Sequence, residues 1–122
     1  MAKQILVVDD SAAIRKSITF VLEQEGYEVV NAEDGSEGFD KSEEKKYDLI
    51  VTDVNMPNKD GITMVKDIRG SQKNKFTPII VLTTESQSSK MDEGKAAGAT
   101  GWIVKPFSAE KLLAVVKKIL GE

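Results

Sequence analysis

The 122 residues contain neither cysteine nor histidine, only one tryptophan and only three prolines. Without cysteine there can be no disulfide, thiolate metal site or cysteine nucleophile, and the composition suits a reducing compartment. Without histidine there is no histidine-based triad, none of the usual zinc sites and no phosphohistidine carried by this chain. Neither sign of charge dominates, because 17 Lys and Arg stand against 20 Asp and Glu for a net charge of −3. No segment gathers enough basic residues to follow a phosphate backbone, so direct nucleic-acid binding is not expected. Long hydrophobic runs are missing too. None approaches the roughly 20 residues of a membrane span, and the N-terminus enters a strand-like segment with no signal-type stretch before it. A cytoplasmic protein without membrane insertion is expected, and the length fits a single domain over residues 1–122 with one core.

What is present is alternation. Short Val- and Ile-rich runs, Ile5 to Val8, Glu28 to Asn31, Asp48 to Thr52, Pro78 to Thr83 and Gly101 to Val104, read as strands buried on both faces. Longer amphipathic stretches lie between them and read as helices: Ala12 to Glu25, Ser36 to Lys45, Ile62 to Arg69, Gln87 to Ala97 and Ala109 to Leu120. Ile14, Ile18, Val21 and Leu22 form the apolar stripe of the first, and Leu112, Leu113, Val116 and Leu120 that of the last. Phe20 falls off its stripe and is a candidate partner contact. Gly26, Gly70, Gly98 and Gly121 stand where helices would stop, Ser11 and Ser108 where they would start. Five strands alternating with five helices give a doubly wound α/β fold with a parallel sheet and right-handed crossovers. The strand order 2-1-3-4-5 is adopted as a common form of that architecture, in which ligands bind beyond the strand C-termini.

Two strand ends carry acids. "QILVVDDS" ends on Asp9 and Asp10, and "LIVTDVNMPNKDG" ends its strand on Asp53 with Pro57 and Gly61 shaping the loop behind. In the adopted order these strands are neighbours about 4.8 Å apart, so the three carboxylates converge. Two unit charges near 5 Å repel by roughly 3 kcal/mol at an effective dielectric of 20, so a bare cluster would hold a proton or a cation. Oxygen donors with neither His nor Cys select a hard ion, and a shallow site with few donors suits Mg²⁺ better than Ca²⁺. Thr83 and Lys105 end the next two strands. A carboxylate nucleophile, a shielding cation, a hydroxyl and an ammonium together suit phosphoryl transfer onto Asp53. Singly, each has a plainer reading. Asp9 and Asp10 could serve a helix dipole, as Lys117 and Lys118 could at a C-terminus; Asp53, Asn55 and Pro57 could be turn chemistry. Joint placement at one sheet edge favours the site.

The ordered pieces "VVDDS", "VTDVNMPNKDG", "VLTTES" and "VKPF" resemble the receiver domains of the response-regulator family from the first strand to the last helix. The stand-alone chemotaxis type is the nearest subtype, and the fold so implied is flavodoxin-like. The resemblance implies that Asp53 is the phosphoacceptor and that Mg²⁺ is held by Asp10, Asp53 and the backbone carbonyl of Asn55, with Asp9 in the pocket and acting through water. It further implies that Thr83 and Lys105 bind phosphoryl oxygens and that the bond before Pro106 is cis. The family's switch pairs the hydroxyl at Thr83 with an aromatic on the fifth strand. Here that residue is Trp102, where Tyr, Phe or His is usual, and a larger indole opposes an inward swing. Asn55 and Glu85 would flank the water that removes the phosphoryl group, implying a short lifetime.

The implied partners are a separate histidine kinase and a downstream effector on the face of the fourth helix, fifth strand and fifth helix. Such a domain is a switch that assists its own phosphorylation and dephosphorylation, not an enzyme acting on outside substrates. A phosphorelay intermediate and a receiver excised from a longer regulator are alternatives within the family. A Mg²⁺-dependent phosphatase with an aspartyl intermediate is a different class. It would commonly carry a second Asp where "DVNMP" has Asn55. A flavin-binding domain would need a hydroxyl- and Gly-rich loop where "DDSAAI" would repel phosphate.

Overall fold

The computed structural model describes residues 2–84 and 88–122. In chain order its elements are β1 (Gln4–Val8), α1 (Ala12–Gln24), β2 (Glu28–Ala32), α2 (Gly35–Glu44), β3 (Leu49–Asp53), α3 (Gly61–Arg69), β4 (Ile79–Thr84), α4 (Ser88–Ala97), β5 (Gly101–Lys105) and α5 (Ala109–Leu120). The strands are all parallel, in the order β2-β1-β3-β4-β5. This is the expected doubly wound sheet. β3 includes Asp53, and Asp48 lies just before it, its carboxylate accepting the Gln4 N–H at 2.7 Å at the start of β1.

Helix starts are set by caps. Ser11 and Ser108 accept from Ile14 N–H and Lys111 N–H at 3.3 and 3.1 Å, as expected. α2 and α3 begin one residue earlier than the apolar pattern suggests, since Asp34 and Asp60 accept from Glu37 N–H at 2.8 Å and Thr63 N–H at 2.7 Å. The expected start of α4 at Gln87 lies outside the described residues. Gly121 closes α5 at φ 76°, a left-handed angle that suits glycine, whereas Gly70 closes α3 in the right-handed region at φ −86°.

The core splits into two layers because successive strand residues face opposite ways. Ile5, Val7, Leu49, Val51, Ile80 and Leu82 pack with Ile18, Leu22, Leu112 and Val116 of α1 and α5. Leu6, Val8, Ile50, Ile79 and Val81 pack with Met64, Val65 and Ile68 of α3. Burial on both faces holds along β3 and along β1 and β4 apart from Gln4 and Thr84, but not for β2 and β5. An edge strand has a neighbour on one side only, so the helices cover less of it.

The N-terminal edge of the sheet is tied by a buried polar knot. The fully buried Asn74 donates to the carbonyls of Ser42 and Lys45, and its Oδ1 accepts from Tyr47 N–H at 2.8 Å and Thr77 Oγ1 at 2.9 Å. Both amide hydrogens and the amide oxygen are thereby engaged. Arg69 donates to the carbonyls of Gly98, Asn74 and Lys75, which fixes the same connection from the α4 side.

Candidate functional site

The opposite sheet edge gathers the chemistry. Asp9 follows the last residue of β1 and continues its ladder, donating its backbone N–H to Ala32 at 3.2 Å, while Arg15 donates to its carbonyl. Adjacent positions diverge, so the Asp9 side chain is 1% exposed whereas Asp10 faces solvent. Asp53 is the last residue of β3 and is held rigidly there. Its Oδ1 accepts from Val54 N–H at 2.8 Å and is ion-paired with the Lys105 ammonium at 3.2 Å, which leaves Oδ2 without a donor among the described residues. Gly61 N–H donates to Val54 O at 2.9 Å. A Cβ on Gly61 would lie 2.0 Å from Asp53 O, so only glycine allows the loop to close this tightly.

Carboxylate oxygens of Asp9, Asp10 and Asp53 lie within 4.8 Å of one another. Lys105, the last residue of β5, reaches across β4 as expected and also stands 3.5 Å from Asp9 Oδ2. Burial pushes the Asp9 carboxyl above its usual range and the nearby Asp53 charge adds to this, against the opposing pull of Ser11 N–H and Lys105. One ammonium against three carboxylates leaves the cluster net negative, and Asp10 has no partner among the described residues. Hard oxygen donors at this spacing fit a divalent cation. Asp9, Asp10 and Asp53 are the side chains that would hold it.

Thr83 is fully buried, and its Oγ1 has no hydrogen-bond partner among the described residues. Such a group is rare in a folded interior. The bond between Lys105 and Pro106 is cis. Trp102 pairs with Val81 and Val104 with Thr83, which puts Trp102 on the same sheet face as Thr83. The indole is 37% exposed and lines an open cavity of about 810 Å³ with Thr84, Lys105, Pro106 and Lys111. Asn55 is exposed in the loop after Asp53. Glu85 lies outside the described residues.

Sequence reasoning passed over Asp34, Asn58 and Lys59, which hold the loop behind Asp53. Asp34 was findable as an N-cap before Gly35, but nothing local announces that its second oxygen accepts from Asn58 Nδ2 at 2.7 Å, 24 residues away.

Residues 5–117 match the family model described as the response regulator receiver domain. Among solved structures, the chemotaxis response regulator CheY4 of Vibrio cholerae is 45% identical, with a TM-score of 0.92 over 98% of this chain and 99% of that one. The receiver domain of the sensor histidine kinase PA1611 from Pseudomonas aeruginosa is 27% identical, with a TM-score of 0.91 over the full length of both. The transcriptional regulatory protein ResD of Bacillus subtilis is 43% identical over 117 residues, 96% of this chain and 48% of its own length. The chain spans about half the length of the curated relatives it matches. With the sheet order, the acidic cluster and the family match in agreement, this chain belongs to the response-regulator receiver domains of two-component signalling.

Proposed function

We propose that this receiver accepts a phosphoryl group on Asp53 from a histidine kinase and thereby switches its binding to a downstream partner. The observation that carries this reading is the convergence of Asp9, Asp10, Asp53 and Lys105 beside a buried, unpartnered Thr83 hydroxyl. Asp53 Oδ2 forms the new bond to phosphorus while the bond from phosphorus to the donor's nitrogen breaks, and the leaving nitrogen keeps the electron pair and takes a proton from water. Lys105 and Thr83 bind the transferred oxygens, the first by charge and the second by its hydroxyl. Asp10, Asp53 and the carbonyl of Asn55, with Asp9 through water, would hold Mg²⁺, which when bound would supply positive charge against the phosphoryl oxygens. The Pseudomonas receiver has a magnesium ion coordinated in its active-site cleft, which supports the choice of metal.

Among the described residues no helix is long and apolar enough to cross a membrane. That accords with a cytoplasmic role. The effector face is assigned to α4, β5 and α5, where the half-exposed Trp102 and its open cavity offer contact area. Trp102 acts there as a contact residue and couples to Thr83 only in part. Asn55 and Glu85 orient the water that ends the signal, so Asn55→Lys lengthens the phosphoryl lifetime.

The subtype favoured is a stand-alone chemotaxis or motility regulator, in keeping with the end-to-end likeness to CheY4. A second reading, the receiver part of a longer DNA-binding regulator, is favoured by the half-length coverage of ResD and its relatives. Intact mass after incubation with a small phosphodonor tests the chemistry. Gain of one phosphoryl group that needs both Mg²⁺ and Asp53 is the expected result. No gain in folded, metal-binding protein would overturn the phosphoacceptor assignment.

A further inference from the structure

The loop between β3 and α3, residues 54–60, carries the Asn55 carbonyl assigned to the metal. The loop is fastened to α2 and its N-cap by three contacts, and to α3 by a fourth. Asn58 donates from Nδ2 to Asp34 Oδ2 at 2.7 Å. Gly35 N–H donates to Lys59 O at 3.0 Å. The Lys59 ammonium stands 4.7 Å from the centre of the Phe39 ring on α2 and is ion-paired with Asp67 on α3. Asn58 itself adopts a left-handed φ of 68°, a conformation that asparagine tolerates better than most residues.

The fit is close on both sides. A Cβ on Gly35 would lie 2.0 Å from Lys59 O, and one on Gly38, a turn later, 2.7 Å from Met64 Sδ and 2.9 Å from Val8 Cγ2. α2 therefore sits against both the loop and the end of β1, with glycine wherever a side chain would push them apart. Asp34 has two tasks. One oxygen caps α2 by accepting from Glu37 N–H, and the other accepts from Asn58, and these two hydrogen bonds hold its carboxyl below the usual range.

We propose that Asp34 and Asn58, with Gly35, are positioning residues that set the affinity of the acidic site for its divalent cation. None of them is a ligand. They fix the backbone that carries Asn55, so that the oxygen it contributes is in place before the ion arrives. Partners outside the coordination sphere commonly change metal affinity by about tenfold or more when removed. The proposal rests on the metal reading above and names what tunes that same site.

Two variants separate the tether from local structure. Asn58→Gly keeps the left-handed backbone available and deletes only the side chain. Asp34→Ser keeps a good N-cap for α2 and deletes the second acceptor. The measurement is the Mg²⁺ dissociation constant by calorimetry without phosphodonor, beside the melting temperature in metal-free buffer. Asp53→Asn and the parent chain serve as references. Each single variant is expected to weaken Mg²⁺ binding about tenfold while the metal-free melting temperature moves little. The double variant is expected to be no weaker than either single one, because both remove the same contact. Asp34→Asn is expected to bind nearly as the parent does, since an amide oxygen still caps the helix and Asn58 can turn its own oxygen toward the new amide. Unchanged Mg²⁺ affinity in both single variants, or a lowered metal-free melting temperature with no change in affinity, would overturn the tether. Failure of the parent chain to bind Mg²⁺ would instead overturn the metal site itself.

Discussion

The two edges of the sheet are both polar and both buried, yet they are built in opposite ways. At the N-terminal edge every hydrogen-bonding position of Asn74 is used, and Tyr27 donates its hydroxyl to Glu122. At the C-terminal edge Thr83 Oγ1 has no partner among the described residues, and Asp9 is buried beside the like charge of Asp53, with Lys105 ion-paired to both. A satisfied network holds connections together, while an unsatisfied one is tolerated where a ligand completes it. The difference separates stability from function along the same strands.

The largest effect should come from the satisfied edge. Asn74→Ala leaves the Ser42 and Lys45 carbonyls and the Tyr47 N–H buried without partners, and a loss of about 3 kcal/mol is expected in urea denaturation. Phosphorylation of the folded fraction should proceed at the parent rate. A small loss of stability, or a selective loss of phosphorylation, would break the comparison.

Next comes the metal. A tenfold excess of Mg²⁺ over its dissociation constant should stabilise the chain by about 1.4 kcal/mol, read as a raised melting temperature. Asp10→Asn should lose most of that gain. Smaller again is Thr83→Val, which replaces an unpartnered hydroxyl by a methyl group of like shape. Stability should rise by about 1 kcal/mol while phosphorylation slows. Asp9→Asn should likewise stabilise the metal-free chain, since it removes a buried charge.

A last test probes the base of the sheet by alkaline pH. Burial, then the hydrogen bond to Glu122, pushes the Tyr27 hydroxyl up from 10.0 to about 12. Between those values the folded chain keeps a proton that the unfolded chain releases, so stability falls as pH rises through the window. Tyr27→Phe should flatten that part of an alkaline denaturation profile. An unchanged slope would remove Tyr27 from the satisfied network.

Much of this was legible in advance. The apolar strand runs, the four crossovers and the acids of "VVDD" and "VTDV" are written locally, because strand patterning and chain order fix which residues end at one edge. Helix starts at Gly35 and Gly61 were missed by one residue, since the capping Asp before each Gly signals a turn as readily as a cap. The exposure of β2 and β5 was missed because their Val and Ile content matches that of a central strand. Asn74 carried no signal at all, and its role exists only because two connections meet around it.

By itself the sequence determined the fold class, the family and the set of acids, hydroxyl and ammonium at the sheet edge. Those depend on periodicity and on motifs a few residues long. Only the tertiary structure decided that Asp9 is buried while Asp10 is not, that Trp102 stands partly outward, and that Asn58 is tied to Asp34. Burial and hydrogen-bond partners depend on what lies opposite in space, and residues 24 positions apart specify one another only once the sheet has brought their loops together.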